Sequence, residues 1–200
     1  IYGETDVTAA SIAMNGSHGV SASGKAVKLT ATSGDIQFHG EPDATYFIGY
    51  GCSSVELTAD EGSIICEGGE LQSAANLRAG DDIAFTKNGY AAIVQSSLTA
   101  ESKNGSIRIQ NTNSSGYAIQ PTGYNHAINL TAEKGKVTVA AAKDALSVSN
   151  GTAGTATIKA KEVEISSTDS WSSTIAVKNL SIDGGKVTIT GSGSSSYPVI

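Results

Sequence analysis

The stretch that decides the fold is Leu57-Thr58-Ala59-Asp60-Glu61-Gly62-Ser63-Ile64-Ile65-Cys66. It opens on an apolar-polar-apolar alternation, breaks at a short turn carrying a glycine, and resumes with a second apolar stretch. The same phrase stands at Leu29-Thr30-Ala31-Thr32-Ser33-Gly34-Asp35-Ile36-Gln37-Phe38 and at Leu130-Thr131-Ala132-Glu133-Lys134-Gly135-Lys136-Val137-Thr138-Val139. Period-2 alternation over so few residues is the mark of a strand with one buried face. Its recurrence along the chain marks stacked units, none able to bury its apolar face alone.

Working outward from these copies, rungs begin at Val7, Leu29, Leu57, Leu77, Leu98, Leu130, Ile158 and Leu180, with spacings of 22, 28, 20, 21, 32, 28 and 22 residues. The mean, about 25, and its unevenness exclude short hexapeptide coils and fit three strands per rung joined by variable loops. The second strand places Ile36/Phe38, Ile64/Cys66, Ile83/Phe85, Ile107/Ile109, Val137/Val139, Val163/Ile165 and Val187/Ile189 inward. Gln37, Arg108, Thr138, Glu164 and Thr188 then face outward. A looser third strand is carried by Val20, Ile48, Leu71, Ala92-Ile93-Val94, Ile119, Leu146 and Ile175, with the inward choice between Ala92 and Ile93 left open. The predicted fold is therefore all-β. It is a single right-handed parallel β-helix over residues 1–200, with about eight rungs of three strands and a length of roughly 35–40 Å at about 4.8 Å per rung. Helical periodicity is absent; Ala140–Ala145 earns at most one helical turn.

Composition narrows the function classes. Charged residues make up 16% of the chain and the net charge is −6, with no basic cluster. Such a chain has no electrostatic footprint for nucleic acid or an anionic membrane surface. No apolar run approaches the roughly 20 residues a bilayer span needs, so no membrane insertion is expected of this segment. Ser (27) and Thr (19) together with 23 Gly supply small outward side chains and tight corners. The chain opens on Ile1-Tyr2-Gly3 with no initiator Met or signal peptide, and neither end reads as a cap. It is therefore expected to be a fragment of a longer repeat protein.

The phrases Leu130–Val139, Asn88-Gly89-Tyr90-Ala91-Ala92-Ile93 and Ala156-Thr157-Ile158-Lys159-Ala160-Lys161-Glu162-Val163-Glu164-Ile165 resemble the passenger repeats of bacterial autotransporter and filamentous-haemagglutinin-type adhesins. The resemblance covers residues 7–190. It implies a right-handed parallel β-helix exported to the bacterial cell surface or secreted. There such a segment mediates adhesion to a host glycan, an extracellular-matrix protein or another bacterium, or acts as a stalk. A polysaccharide-acting β-helix enzyme and a ligand-free spacer are the alternatives. Against the enzyme, no Asp/Glu cluster with Arg or Lys recurs on neighbouring rungs, and no cofactor motif is present.

Few residues stand out as chemistry. Trp171 and Tyr124 lie in long loops, where a ligand contact is most readily hosted, and are the candidate ligand-binding residues. Tyr46, Tyr90, Tyr117 and Tyr197 each lead into a third strand; an inward or corner stack fits them better than an exposed row. Cys52 and Cys66 are the two cysteines, and a disulfide between them would suit an exported protein. The competing reading is two small packed thiols. His18, His39 and His126 fall on different rungs and read as surface or corner residues. Asp81 and Asp82 read as solvated turn residues rather than part of a calcium site.

Overall fold

The computed structural model describes residues 4–16, 19–40, 46–94, 96–121, 126–148 and 154–192. Among these residues twenty strands, all paired in parallel, wind into a β-helix. Eight levels carry a first and a second strand, which join into one sheet of 13 strands; seven third strands form another, giving seven complete turns. In the last three levels the first and second strands run on without a break, as Ala127–Ala141, Thr155–Ser167 and Asn179–Thr190. No helix occurs among the described residues; Ala140 and Ala141 finish a strand, so the helical turn allowed for that stretch does not form.

The interior is built from columns of like residues. On the first face Val7, Leu29, Leu57 and Leu77 stack in register. On the second, Ile12, Ile36, Ile64, Ile83, Ile107, Val137, Val163 and Val187 form one column. Beside it stand Met14, Phe38, Cys66, Phe85, Ile109, Val139, Ile165 and Ile189. The third face contributes Val20, Ile48, Leu71, Ile93, Ile119, Leu146 and Ile175, which settles Ile93 as the residue in the aliphatic column. Ala92 is buried as well.

Two rung marks are corrected by the register. Leu77 stands against Ala100, not Leu98, and Ala100 in turn against Leu130. Ile158 likewise faces Ile182 rather than Leu180. A two-residue slip leaves parity intact, so Leu98 and Leu180 still point inward, one column over.

The alanine in each Leu-Thr-Ala phrase has a steric cause. Ala9, Ala31, Ala59 and Ala79 form a column at the corner where the first strand turns into the second. The turn glycines beyond it are needed for space rather than for an unusual φ. A Cβ on Gly62 would lie 2.4 Å from the carbonyl oxygen of Gly34, and one on Gly135 only 1.9 Å from that of Gly105. Successive corners thus touch backbone to backbone. Just past them, each rung's side chain accepts an N–H from the next: Asp35 Oδ1 from Ser63, Ser63 Oγ from Asp82, Asp82 Oδ1 from Ser106, and Ser106 Oγ from Lys136. Asp82 is therefore a link in a corner relay, while Asp81 fills the slot that other copies give to glycine.

These columns fix the cost of core truncation. Leu57→Ala, with Leu29 and Leu77 directly below and above, should lower unfolding free energy by about 3 kcal/mol. Denaturant titration against the outward Thr58→Ala, expected to stay within about 0.5 kcal/mol of wild type, checks it.

Candidate functional site

The second strand must turn into the third, and at this corner the inward parity of the second strand carries polar residues. Lys87 follows Ile83 and Phe85, Asn111 follows Ile107 and Ile109, and Ser167 follows Val163 and Ile165. All three are buried. Bending the chain here leaves carbonyls without strand partners, and buried carbonyls need donors. Lys87 Nζ donates to Gly68 O at 2.7 Å and stands 3.7 Å from Glu70 Oε1. Asn111 Nδ2 donates to Gly89 O at 3.0 Å and Tyr117 O at 2.8 Å, with Tyr90 O at 3.4 Å. Ser167 and Thr174 hydroxyls bond each other at 2.7 Å in the interior.

The outer side of the same corner carries the exposed aromatics. Tyr90, 59% exposed, and Tyr117 sit on consecutive rungs with ring centroids 5.3 Å apart and planes tilted by 56°. Lys143, one rung further, holds its ammonium 5.3 Å from the Tyr117 ring centre. Trp171, 74% exposed, sits in the next turn of this corner, its backbone N–H donating to Asp169 Oδ1 at 2.9 Å. Backbone bonds tie the rungs: Tyr117 N to Tyr90 O, Lys143 N to Gly116 O, and Asp169 N to Ala142 O. Four rungs thus raise Tyr90, Tyr117, Lys143 and Trp171 along one edge of the rod. Beneath them Asp144 is buried, and that burial pushes its carboxyl above the usual carboxylate range against the pull of neighbouring Lys143.

Of the residues singled out from sequence, Trp171 is on this edge; Tyr90 and Tyr117 touch each other but face out, so an exposed row stands where an inward or corner stack is expected from sequence. Tyr124, His18 and Tyr197 lie outside the described residues. Lys143 and Asn111 were not foreseen as part of the site; the signal for Asn111 was a polar residue at an inward parity position. His39 faces outward, with Nδ1 3.0 Å from Glu67 Oε2.

Both thiols are free. Cys66 lies in the second-face column between Phe38 and Phe85, while Cys52 sits at the corner leading into strand Ser54–Ala59, its carbonyl bonded by Ser73 Oγ at 2.8 Å. The candidate bridge is not formed. Burial pushes the Cys66 thiol up to about 12, opposed by the Gly69 backbone bond and the Lys87 charge.

Elsewhere some opposite charges pair across rungs. A shallow groove lined by Glu133, Lys159, Lys161 and Asp183 has Lys159 bonded to Glu133. Lys136 bridges Glu162 and Glu164, and Glu162 also takes Lys186 at 3.0 Å. Among the described residues, no group of three or more His, Cys, Asp or Glu side chains is placed to hold a metal ion.

Three outcomes are expected. A neutral-pH thiol reagent should label Cys52 and leave Cys66 untouched until denaturant opens the rod, read by mass spectrometry. Because the folded Cys66 thiol holds its proton above its ordinary 9.0, it contributes stability below pH 9 that is lost as pH rises towards 12, with a slope of at most about 1.4 kcal/mol per pH unit. Cys66→Val should remove that component from an alkaline unfolding series. Asn111→Ala should cost about 2 kcal/mol by stranding buried carbonyls.

A scan against protein-family models and searches of curated proteins and of solved structures found no match to this chain.

Proposed function

We propose that this chain is a rod segment of a bacterial surface or secreted adhesin, a passenger stalk that makes contact with a host glycan, an extracellular-matrix protein or another bacterial cell. A β-solenoid suits stalks, enzymes and spacers alike, so the fold does not carry the reading. The observation that does is the raised edge of Tyr90, Tyr117, Lys143 and Trp171. Exposed aromatic rings are costly to leave in water without a use, and a row of them offers flat apolar faces with a polar rim. Sugar rings present C–H faces that stack on such surfaces, and Lys143 adds a donor for hydroxyl or carboxylate groups. Contact at this edge would involve no covalent chemistry, which fits a rod holding its ligand by repeated weak contacts. Multiplying weak contacts along a stiff scaffold raises overall avidity.

The test is retention on glycan and matrix-protein arrays. Wild-type protein should be retained on a defined subset. Tyr90→Ala, Tyr117→Ala and Trp171→Ala should each weaken that retention about three- to tenfold. Lys161→Ala, on the opposite corner, should leave it unchanged. Unaltered retention by the triple variant, or none by wild type, would sink the reading; depolymerisation of an acidic glycan would replace it with the enzyme.

A further inference from the structure

Asparagine followed by glycine occurs four times in this chain, at Asn15, Asn88, Asn104 and Asn150. The pair is chemically labile. With no Cβ on the second residue, its backbone nitrogen reaches the asparagine's own side-chain carbonyl unhindered. Asn150 lies outside the described residues, and Asn15 and Gly16 end a paired strand. Asn88 and Asn104 are both exposed, both stand in turns and both follow a lysine. They differ in what holds the side-chain oxygen. Asn88 Oδ1 accepts from the neutral amide of Asn113 at 3.3 Å. Asn104 Oδ1 accepts from the Lys134 ammonium, one rung on, at 3.0 Å. An ammonium polarises a carbonyl more than an amide does, and its charge sits where an oxyanion would form.

The residue after Asn104 has no freedom to be anything but glycine. A Cβ on Gly105 would fall 2.3 Å from Asp82 Oδ1 and 2.7 Å from the Asp81 carbonyl carbon. The packing that builds this corner therefore also keeps an unhindered amide beside Asn104. Its neighbours on either side are engaged: Asn104 N–H donates to Gly80 O at 3.0 Å and Ser106 N–H to Asp82 Oδ1 at 2.7 Å. Among the described residues the Gly105 N–H, which must be given up for ring closure, donates no hydrogen bond.

We propose that Asn104 is a self-modifying site, converted to aspartate with Lys134 as the assisting cation. Gly105 N loses its proton to water and bonds to Asn104 Cγ, closing a succinimide ring. The Cγ–Nδ2 bond breaks, and Nδ2 takes a proton from water and leaves as ammonia. A second water then opens the ring. Attack at Cγ breaks the new bond to Gly105 N and leaves an aspartate. Attack at the main-chain carbonyl carbon leaves isoaspartate, which adds a methylene to the backbone. Lys134 faces the oxygen on Cγ and so favours the first course. The second lengthens a corner that has no slack, since a Cβ on Gly135 would already lie 1.9 Å from Gly105 O. The new carboxylate gains an ion pair with Lys134 in place of a neutral contact, so the cross-rung tie survives while the surface becomes more acidic by one charge. Water is the only co-reactant.

Peptide-mapping mass spectrometry of the whole chain, sampled during incubation at neutral pH, tests this with Asn88 as the internal reference. Lys134→Ala is run beside wild type, folding being confirmed by circular dichroism; Lys134 is exposed, so its loss should leave the rod intact. In folded wild type Asn104 should convert about three- to fivefold faster than Asn88, the size expected of an exposed charge-assisted contact. Aspartate should be its main product. Lys134→Ala should bring the two rates together. In denaturant the rates should agree in both proteins, and isoaspartate should appear at both positions. A folded wild type in which Asn104 converts no faster than Asn88 overturns the proposal, as does an advantage that survives Lys134→Ala or denaturation.

Discussion

Everything in this molecule follows from rungs stacked at one fixed spacing through parallel backbone hydrogen bonds, about 4.8 Å apart. At that separation each interior side chain rests on its counterpart in the next rung, and there is no slack in the direction of stacking. One column of the second face is filled by Ile and Val of similar bulk, while its neighbour sets the small Cys66 between Phe38 and Phe85. Where the strand turns, the available width shrinks to a methyl group, and the alanine column results. Where turns touch backbone to backbone, even a methyl is excluded, and Gly62 and Gly135 become obligatory. Close packing of this kind makes each column intolerant of changes in volume.

The same constraint explains the buried polar residues. Turning from the second strand into the third frees carbonyl groups that a dry interior cannot leave unpaired. Lys87, Asn111 and Ser167 solve this differently on their own rungs. A lysine with Glu70 beside it reaches down to Gly68, an asparagine clamps two carbonyls, and a serine pairs with Thr174. In clamping Gly89 and Tyr117, Asn111 also fixes the backbone that carries the two tyrosines. Their ring contact is thus pre-organised from inside, which lowers the entropy a ligand must offset on binding.

Outward side chains obey weaker rules. They too form columns, and opposite charges line up across rungs, as with Lys159 and Glu133 or Glu162 between Lys136 and Lys186. Exposed pairs of this sort contribute little to folding, so the surface is free to vary without loss of the rod. Function on a solenoid accordingly resides in local departures from the repeat. The aromatic edge is such a departure: Tyr90 and Trp171 lie in turns, and Tyr117 opens a strand straight after one.

Strand parity was legible because successive side chains point to opposite faces, so the inward pairs from Ile36/Phe38 to Val163/Ile165 could be read directly. That arithmetic also placed Cys66 in the core. Register was not legible at Leu98 and Leu180, since loops of unequal length hide which of two inward residues meets the rung below. Nor was the aromatic edge. Tyr90, Tyr117, Lys143 and Trp171 are 26 to 28 residues apart in sequence, and only the stacking of rungs, with each loop absorbing its own excess, brings them to one corner. The sequence by itself determined which face the residues of the first and second strands take; the tertiary structure alone decided which of them become neighbours, because neighbours here are made between turns and not along the chain.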